Sequence, residues 1–145
     1  LGAGIGLAGI AARLAGAELI QTDYLEDALR FIRVNSLRNG LSEPGLLLAD
    51  WRRFPQIGKF DLILGADILY EKTLHQDLGK ILADTIKPDG LVLLADPGRN
   101  YALEFVLGLM DRGWRVKQSR VPVIYEKNTH QIDIYQLRPG GTVDQ

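Results

Sequence analysis

The chain has no cysteine, which excludes disulfides, thiolate nucleophiles and cysteine-held zinc together. Its two histidines, His75 and His130, lie far apart, and neither has a helical-spaced partner, so no metal site is expected. Charge of one sign is also lacking. A formal net charge of −1 gives no general basic footprint, and nucleic acid is disfavoured as a partner. No apolar run approaches the ~20 residues of a membrane-crossing helix. What remains is ordinary for a water-soluble globular protein, with 46% hydrophobic and 24% charged residues. A length of 145 residues suits a single domain, 1–145. The expected setting is cytoplasmic, with targeting left open because the natural start is expected upstream of Leu1.

Glycine, by contrast, is plentiful. The chain opens inside a glycine-rich turn, Leu1-Gly2-Ala3-Gly4-Ile5-Gly6-Leu7-Ala8-Gly9. Such a turn joins a buried strand to a helix, and its glycines let backbone approach a nucleotide-like ligand where a Cβ would collide. The strand that should feed it would lie ahead of Leu1. The expectation is therefore an N-terminally truncated fragment whose first strand is missing.

Downstream, apolar runs alternate with helix-period segments, which predicts an α/β fold. Glu18–Asp23, Gly45–Trp51, Phe60–Asp67 and Leu91–Asp96 read as strands, the later ones nearly continuous in apolar residues, as for strands covered on both faces. Residues 7–14, Leu25–Asn39, Lys72–Ile86 and Tyr101–Arg112 read as helices, and Lys87-Pro88-Asp89-Gly90 as a turn. Trp114–Ile124 and Gln131–Leu137 then follow with no helix between them. This predicts an antiparallel hairpin closing a Rossmann-like, doubly wound, mostly parallel sheet. The Gly-rich tail from Pro139 to Gln145 reads as frayed.

Asp23, Asp50, Asp67 and Asp96 all end strands, at the edge where open parallel sheets bind ligands. Asp23 has the spacing of a ribose-binding acid; the plainer alternative is a cap on the following helix. Asp50-Trp51 could hold an adenine, the acid accepting the exocyclic amine and the indole giving a flat apolar face, or Trp51 could be core. Asp67-Ile68-Leu69-Tyr70 would place an acid and a phenol at the reactive centre, or serve only as a helix entry. The glycine turn is itself ambiguous. Gly4-Ile5-Gly6-Leu7-Ala8-Gly9 satisfies the dinucleotide fingerprint, and Gly2, Gly4 and Gly6 satisfy G-x-G-x-G. The terminal hairpin weighs against a dehydrogenase, whose sheet is normally parallel throughout.

Taken together, these residues resemble a class I, seven-stranded methyltransferase that uses S-adenosylmethionine (AdoMet) and releases S-adenosylhomocysteine. More closely, the chain resembles the methyltransferase-like group that contains protein lysine methyltransferases. Gly65-Ala66-Asp67-Ile68-Leu69-Tyr70 matches its Asp-x-x-Tyr motif, and Thr22-Asp23-Tyr24 and Asp50-Trp51 also fit. Asp96-Pro97-Gly98-Arg99 resembles the branch that modifies the β subunit of electron-transfer flavoprotein. The resemblance implies cofactor binding by Gly2, Gly4, Gly6, Asp23, Tyr24, Asp50, Trp51 and Ala66, and catalysis by Asp67 and Tyr70. The implied acceptor is a protein lysine amine. Alternatives are a small-molecule or RNA methyltransferase, or a non-catalytic binding module. Asp67-Ile68-Leu69-Tyr70 lacks the two prolines common in enzymes that methylate nucleic-acid amines, which counts against RNA.

Overall fold

In the computed structural model, which describes residues 1–140, the elements run from α1 (Leu7–Leu14) through β1 (Ile20–Asp23), α2 (Glu26–Arg38), β2 (Gly45–Leu48), β3 (Phe60–Ala66), α3 (His75–Thr85) and β4 (Ile86–Asp96) to α4 (Asn100–Met110), with no α-helix between β2 and β3. Two strands close the series, β5 (Arg115–Tyr125) and β6 (Asn128–Arg138). Single 3-10 turns at Trp51–Arg53 and Lys72–Leu74 follow β2 and precede α3. The expected fraying of the tail falls largely on residues 141–145, outside the described residues.

The described chain divides into two compact units. The first comprises residues 1–55 and 64–66. Here β1 and β2 pair in parallel, Ile20 opposite Gly45 through Asp23 opposite Leu48. Residues 1–3 lie between β1 and the end of β3: Ala3 N donates to the Thr22 carbonyl at 3.0 Å, and the Leu1 amine to the Leu64 carbonyl at 2.9 Å. Ile10, Leu29 and Ile32 are buried, a spacing on α2 that matches its sequence period. Gln21 is buried as well, and its side-chain amide has no hydrogen-bond partner among the described residues. It lies so close to α1 that a Cβ on Gly9 would come within 2.2 Å of its Oε1. Glycine at position 9 is thus what lets the helix settle on β1.

The second unit comprises residues 56–63 and 67 onward. Its sheet runs β3-β4-β6-β5, with β4–β6 and β5–β6 antiparallel. The hairpin is as expected, but its turn is tighter than the sequence suggests: only Glu126 and Lys127 separate the strands, both left-handed at φ 46° and 68°. That conformation follows the right-handed twist of a hairpin. β5 is the edge strand on the hairpin side, and it is exposed along nearly its whole length.

The strand β4 starts earlier than expected. Ile86–Gly90 is extended rather than turned, because the carbonyls of Asp89 and Gly90 accept hydrogen bonds from the Arg138 guanidinium at 2.7 and 3.3 Å. Burial alternates along the paired stretches of β4 and β6, so that Val92, Leu94 and Asp96, and Asp133, Tyr135 and Leu137, are buried there, with Ile86 and Gly90 buried earlier in β4. Asp96 is therefore set opposite Asp133 in the ladder. Two like charges so placed repel one another, and each needs a counter-ion. Arg120 supplies one through a two-point contact with Asp133, Nε to Oδ1 at 2.8 Å and Nη2 to Oδ2 at 3.0 Å.

This guanidinium holds the Asp133 carboxyl below the usual carboxylate range. A depressed folded-state pKa stabilises above the unfolded value, ~4, and that contribution is lost as pH falls through the folded value. Arg120→Ala is expected to lower Tm by about 5 °C or more at pH 7, with a shallower loss of stability on acidification than in the wild type. Arg120→Ala with Asp133→Ala should recover part of the loss, since no buried charge is then left unpaired. Thermal unfolding of the three proteins between pH 3 and 7 checks this; a double variant no better than the single one refutes it.

Candidate active site

In the first unit the glycine turn folds through left-handed backbone at Gly2, Gly4 and Gly6, φ 55°, 54° and 92°. Residues with a Cβ rarely take that conformation, which explains the alternating glycines. Gly6 N closes the turn on the Ala3 carbonyl at 2.8 Å, and Gly6 forms the N-cap of α1. Having no side chain, it leaves the first amides of that helix without a side-chain cap. The position a Gly4 Cβ would take has nothing within 4 Å. The turn therefore offers open space beside the uncapped, positive end of a helix.

Beneath the turn, Asp23 is 6% exposed. Its Oδ2 accepts from Gly4 N at 2.8 Å and its Oδ1 from Leu25 N at 3.0 Å, just ahead of α2. The plainer helix-entry contact is thus present, through the amide just ahead of α2, in the same side chain that holds the glycine turn. Each oxygen has a further lone pair for a hydroxyl. The Asp23 carbonyl accepts from Ala49 N at 2.9 Å, which ties the β1 tip to the residue before Asp50.

Asp50 caps the Trp51–Arg53 turn through Arg52 N at 2.9 Å, and Arg52 Nη2 reaches its Oδ2 at 2.5 Å. These contacts, the side-chain hydrogen bond above all, lower the Asp50 pKa to about 2, so the group is an acceptor only. Trp51 is half-buried rather than core, and Tyr24 is 62% exposed. Ala66 is exposed at the end of β3.

In the second unit Asp67 follows β3 directly and is left-handed at φ 58°, unusual for any residue but glycine and better tolerated by aspartate than most. Its N–H donates to the Ala95 carbonyl at 2.8 Å, which fixes the backbone against β4. Its Oδ1 accepts from Arg99 Nη1. The same nitrogen reaches Asp96 Oδ2 at 2.9 Å, while Asp96 Oδ1 accepts from Gly98 N at 2.9 Å and Arg99 N at 2.7 Å. Sequence reading singled out Asp96 and the Asp-Pro-Gly-Arg stretch but not the bridge that Arg99 makes. Tyr70 is 56% exposed and takes no part in this network, whereas Ile68 and Leu69 are buried, in a packing role. His75 meets the Leu69 carbonyl through Nε2 at 3.1 Å and packs edge-on against Phe105. Among the described residues no group of three or more His, Cys, Asp or Glu could hold a metal ion. No described helix is long and apolar enough to cross a membrane.

The profile of a family described as lysine methyltransferase matches residues 1–111. The chain belongs to the lysine methyltransferase family. Among its relatives is the protein N-lysine methyltransferase METTL21A of Mus musculus, 34% identical over 137 residues, covering 90% of this chain and 62% of that protein. The Xenopus tropicalis METTL21A is 31% identical, with 89% and 60% covered. The electron transfer flavoprotein beta subunit lysine methyltransferase of Mus musculus is 36% identical over 101 residues, 68% of this chain and 39% of that one. The chain thus spans about three fifths of the length of the METTL21A proteins. Among solved structures, a ribosomal protein L11 methylase from Lactobacillus delbrueckii subsp. bulgaricus superposes with a TM-score of 0.72 at 22% identity, covering 95% of this chain and 67% of that one. At that identity the likeness shows the fold, and the lysine methyltransferase family member is α/β and Rossmann-like, with antiparallel C-terminal strands.

Proposed function

We propose that the chain is the AdoMet-dependent methyltransferase domain of a protein lysine methyltransferase. The observation that carries this reading is the bond from Gly4 of the left-handed glycine turn to the buried carboxylate of Asp23. It couples an open backbone cradle to an acid with spare acceptor capacity. The residues fit the cofactor: the uncapped start of α1, behind Gly2, Gly4 and Gly6, suits a carboxylate; Asp23 suits two vicinal hydroxyls; Asp50 and the half-buried Trp51 suit an aminopurine. Tyr24 and Ala66 are assigned to the same cofactor. When bound, AdoMet supplies a methyl group on a positively charged sulfur, already activated for transfer to a nucleophile.

The protein's part is alignment. Holding the acceptor amine in line and near ~3–3.5 Å removes much of the entropic barrier. Asp67 accepts a hydrogen bond from that amine and orients it, with the Tyr70 hydroxyl as a second polar contact. A free lysine has pKa ~10.4 and must give up its proton to water before it can react. A nearby carboxylate opposes that loss, so Asp67 acts by orientation and binding rather than as the base. The relatives' N-lysine methyltransferase activities support a protein acceptor over a small molecule, and the net charge of −1 weighs against nucleic acid. The reading carries a cytoplasmic setting with it.

The full-length protein, incubated with labelled AdoMet and host lysate, is expected to deposit label on lysine side chains, located by mass spectrometry. AdoMet should raise its Tm and NAD should not. No AdoMet shift and no labelled protein would overturn the proposal in favour of a non-catalytic module; label on RNA or on small molecules would replace the acceptor.

A further inference from the structure

We infer that Arg99 is a positioning residue for the acceptor-side carboxylate, holding Asp67 by one oxygen so that the other faces the acceptor. The inference rests on the reading of Asp67 given above. It starts from an unequal pair of acids. Asp96 has a fully buried side chain, whereas the Asp67 side chain is 65% exposed. One guanidinium nitrogen, Arg99 Nη1, serves both.

The buried acid is the anchor. Asp96 Oδ1 accepts from two successive backbone N–H groups, of Gly98 and Arg99, and so sets the loop that carries Arg99. Gly98 is left-handed at φ 89°, and a Cβ there would lie 3.4 Å from Asp133 Oδ2, so the loop is confined on that side as well. Asp96 Oδ2 then fixes the guanidinium. What Arg99 holds in turn is an exposed side chain that would otherwise sample several rotamers. Asp67 Oδ1 is thereby committed to Arg99, and Oδ2 has no protein partner among the described residues. A carboxylate tethered in this way offers a single oxygen in a single direction, which is what in-line alignment of an amine requires.

The bridge also sets the local charge. Two carboxylates and one guanidinium leave a net −1 rather than −2. That is enough to attract a cationic side chain from solvent, while opposing the loss of its proton less than an unpaired carboxylate pair would.

Arg99→Lys is the informative variant. It keeps a cation beside the buried Asp96 but cannot bridge two carboxylates from a fixed fork. With labelled AdoMet and the lysate protein that accepts the label, Arg99→Lys in the full-length enzyme is expected to lower kcat by about 10- to 100-fold. The AdoMet Kd by calorimetry should stay within threefold and Tm within a few degrees. A crystal structure of the variant should show Asp67 in more than one rotamer. In an Asp67→Ala background the same substitution should change kcat by less than about threefold, because its effect runs through Asp67. Arg99→Gln, which loses the charge, should lower kcat further but also lower Tm by several degrees, because the buried Asp96 is then left without its counter-ion, so Arg99→Lys is the variant that decides. Equal losses in both backgrounds, or an unchanged kcat, would overturn the inference while leaving the methyltransferase reading intact. A wild-type enzyme that transfers no methyl to protein overturns both.

Discussion

Replacing Asp67 is expected to lower methyl transfer by about 10²-fold or more while AdoMet affinity stays within a few fold. Asparagine is the cleaner probe. At φ 58° an alanine incurs the left-handed penalty of about 1 kcal/mol, whereas asparagine tolerates that backbone and keeps the shape of the side chain. Asp67→Asn therefore removes charge with little strain, and Asp67→Ala removes charge, reach and backbone ease together. The expected order of turnover is wild type, then Asn, then Ala, with the gap from wild type to Asn the larger. Single-turnover transfer from labelled AdoMet, alongside calorimetry, separates the outcomes. A fall in AdoMet affinity as large as the fall in rate would move Asp67 to the cofactor side.

Asp23→Ala is expected to do the reverse: AdoMet binding weakens by about 100-fold, and turnover at saturating cofactor changes little. Two effects combine. The acceptors for the ribose hydroxyls disappear, and Gly4 N and Leu25 N lose theirs, each a cost of roughly 1–3 kcal/mol where the amide stays dry. Tm should therefore fall even without cofactor. Asp23→Asn keeps one acceptor oxygen and should fall between wild type and alanine in both Kd and Tm. An unchanged Kd in Asp23→Ala would reject the ribose assignment, whatever happens to Tm.

Much of this architecture is readable in one dimension. Strand tips ending in acid, small residues in α1 and the helix-free stretch after Gly113 carry the alternating fold and its closing hairpin. The glycines stand out because backbone geometry restricts which residues can occupy a left-handed turn, and Asp23 because it ends the strand that follows them. What escaped were contacts that no local window contains. Lys87-Pro88-Asp89-Gly90 has the composition of a turn, yet Arg138, 48 residues beyond Gly90, takes up the carbonyls that let it stay extended. The Arg99 bridge to Asp67 spans 32 residues, and arginine carries no positional signal of its own. The intimacy of Gly9 with Gln21 was invisible too, since a glycine in a helix does not reveal what fills the space it vacates. Asp133 was missed although it could have been found. It shares the every-other-residue rhythm of Tyr135 and Leu137, and a lone acid in a buried rhythm advertises a counter-ion.

The outermost strand brings a liability of another kind. A long uncovered border of main-chain donors and acceptors invites the strand of a neighbouring molecule to add on, the first step towards fibrous accretion. Among the described residues the strand β5 is such a border, and its own residues are the deterrent: Pro122 withholds a donor, while Arg115 and Lys117, with Arg120 committed to Asp133, make two such borders repel. These cations act as gatekeepers of solubility as well as partners within the fold, so charge-neutralising surface edits along this border would trade away monodispersity.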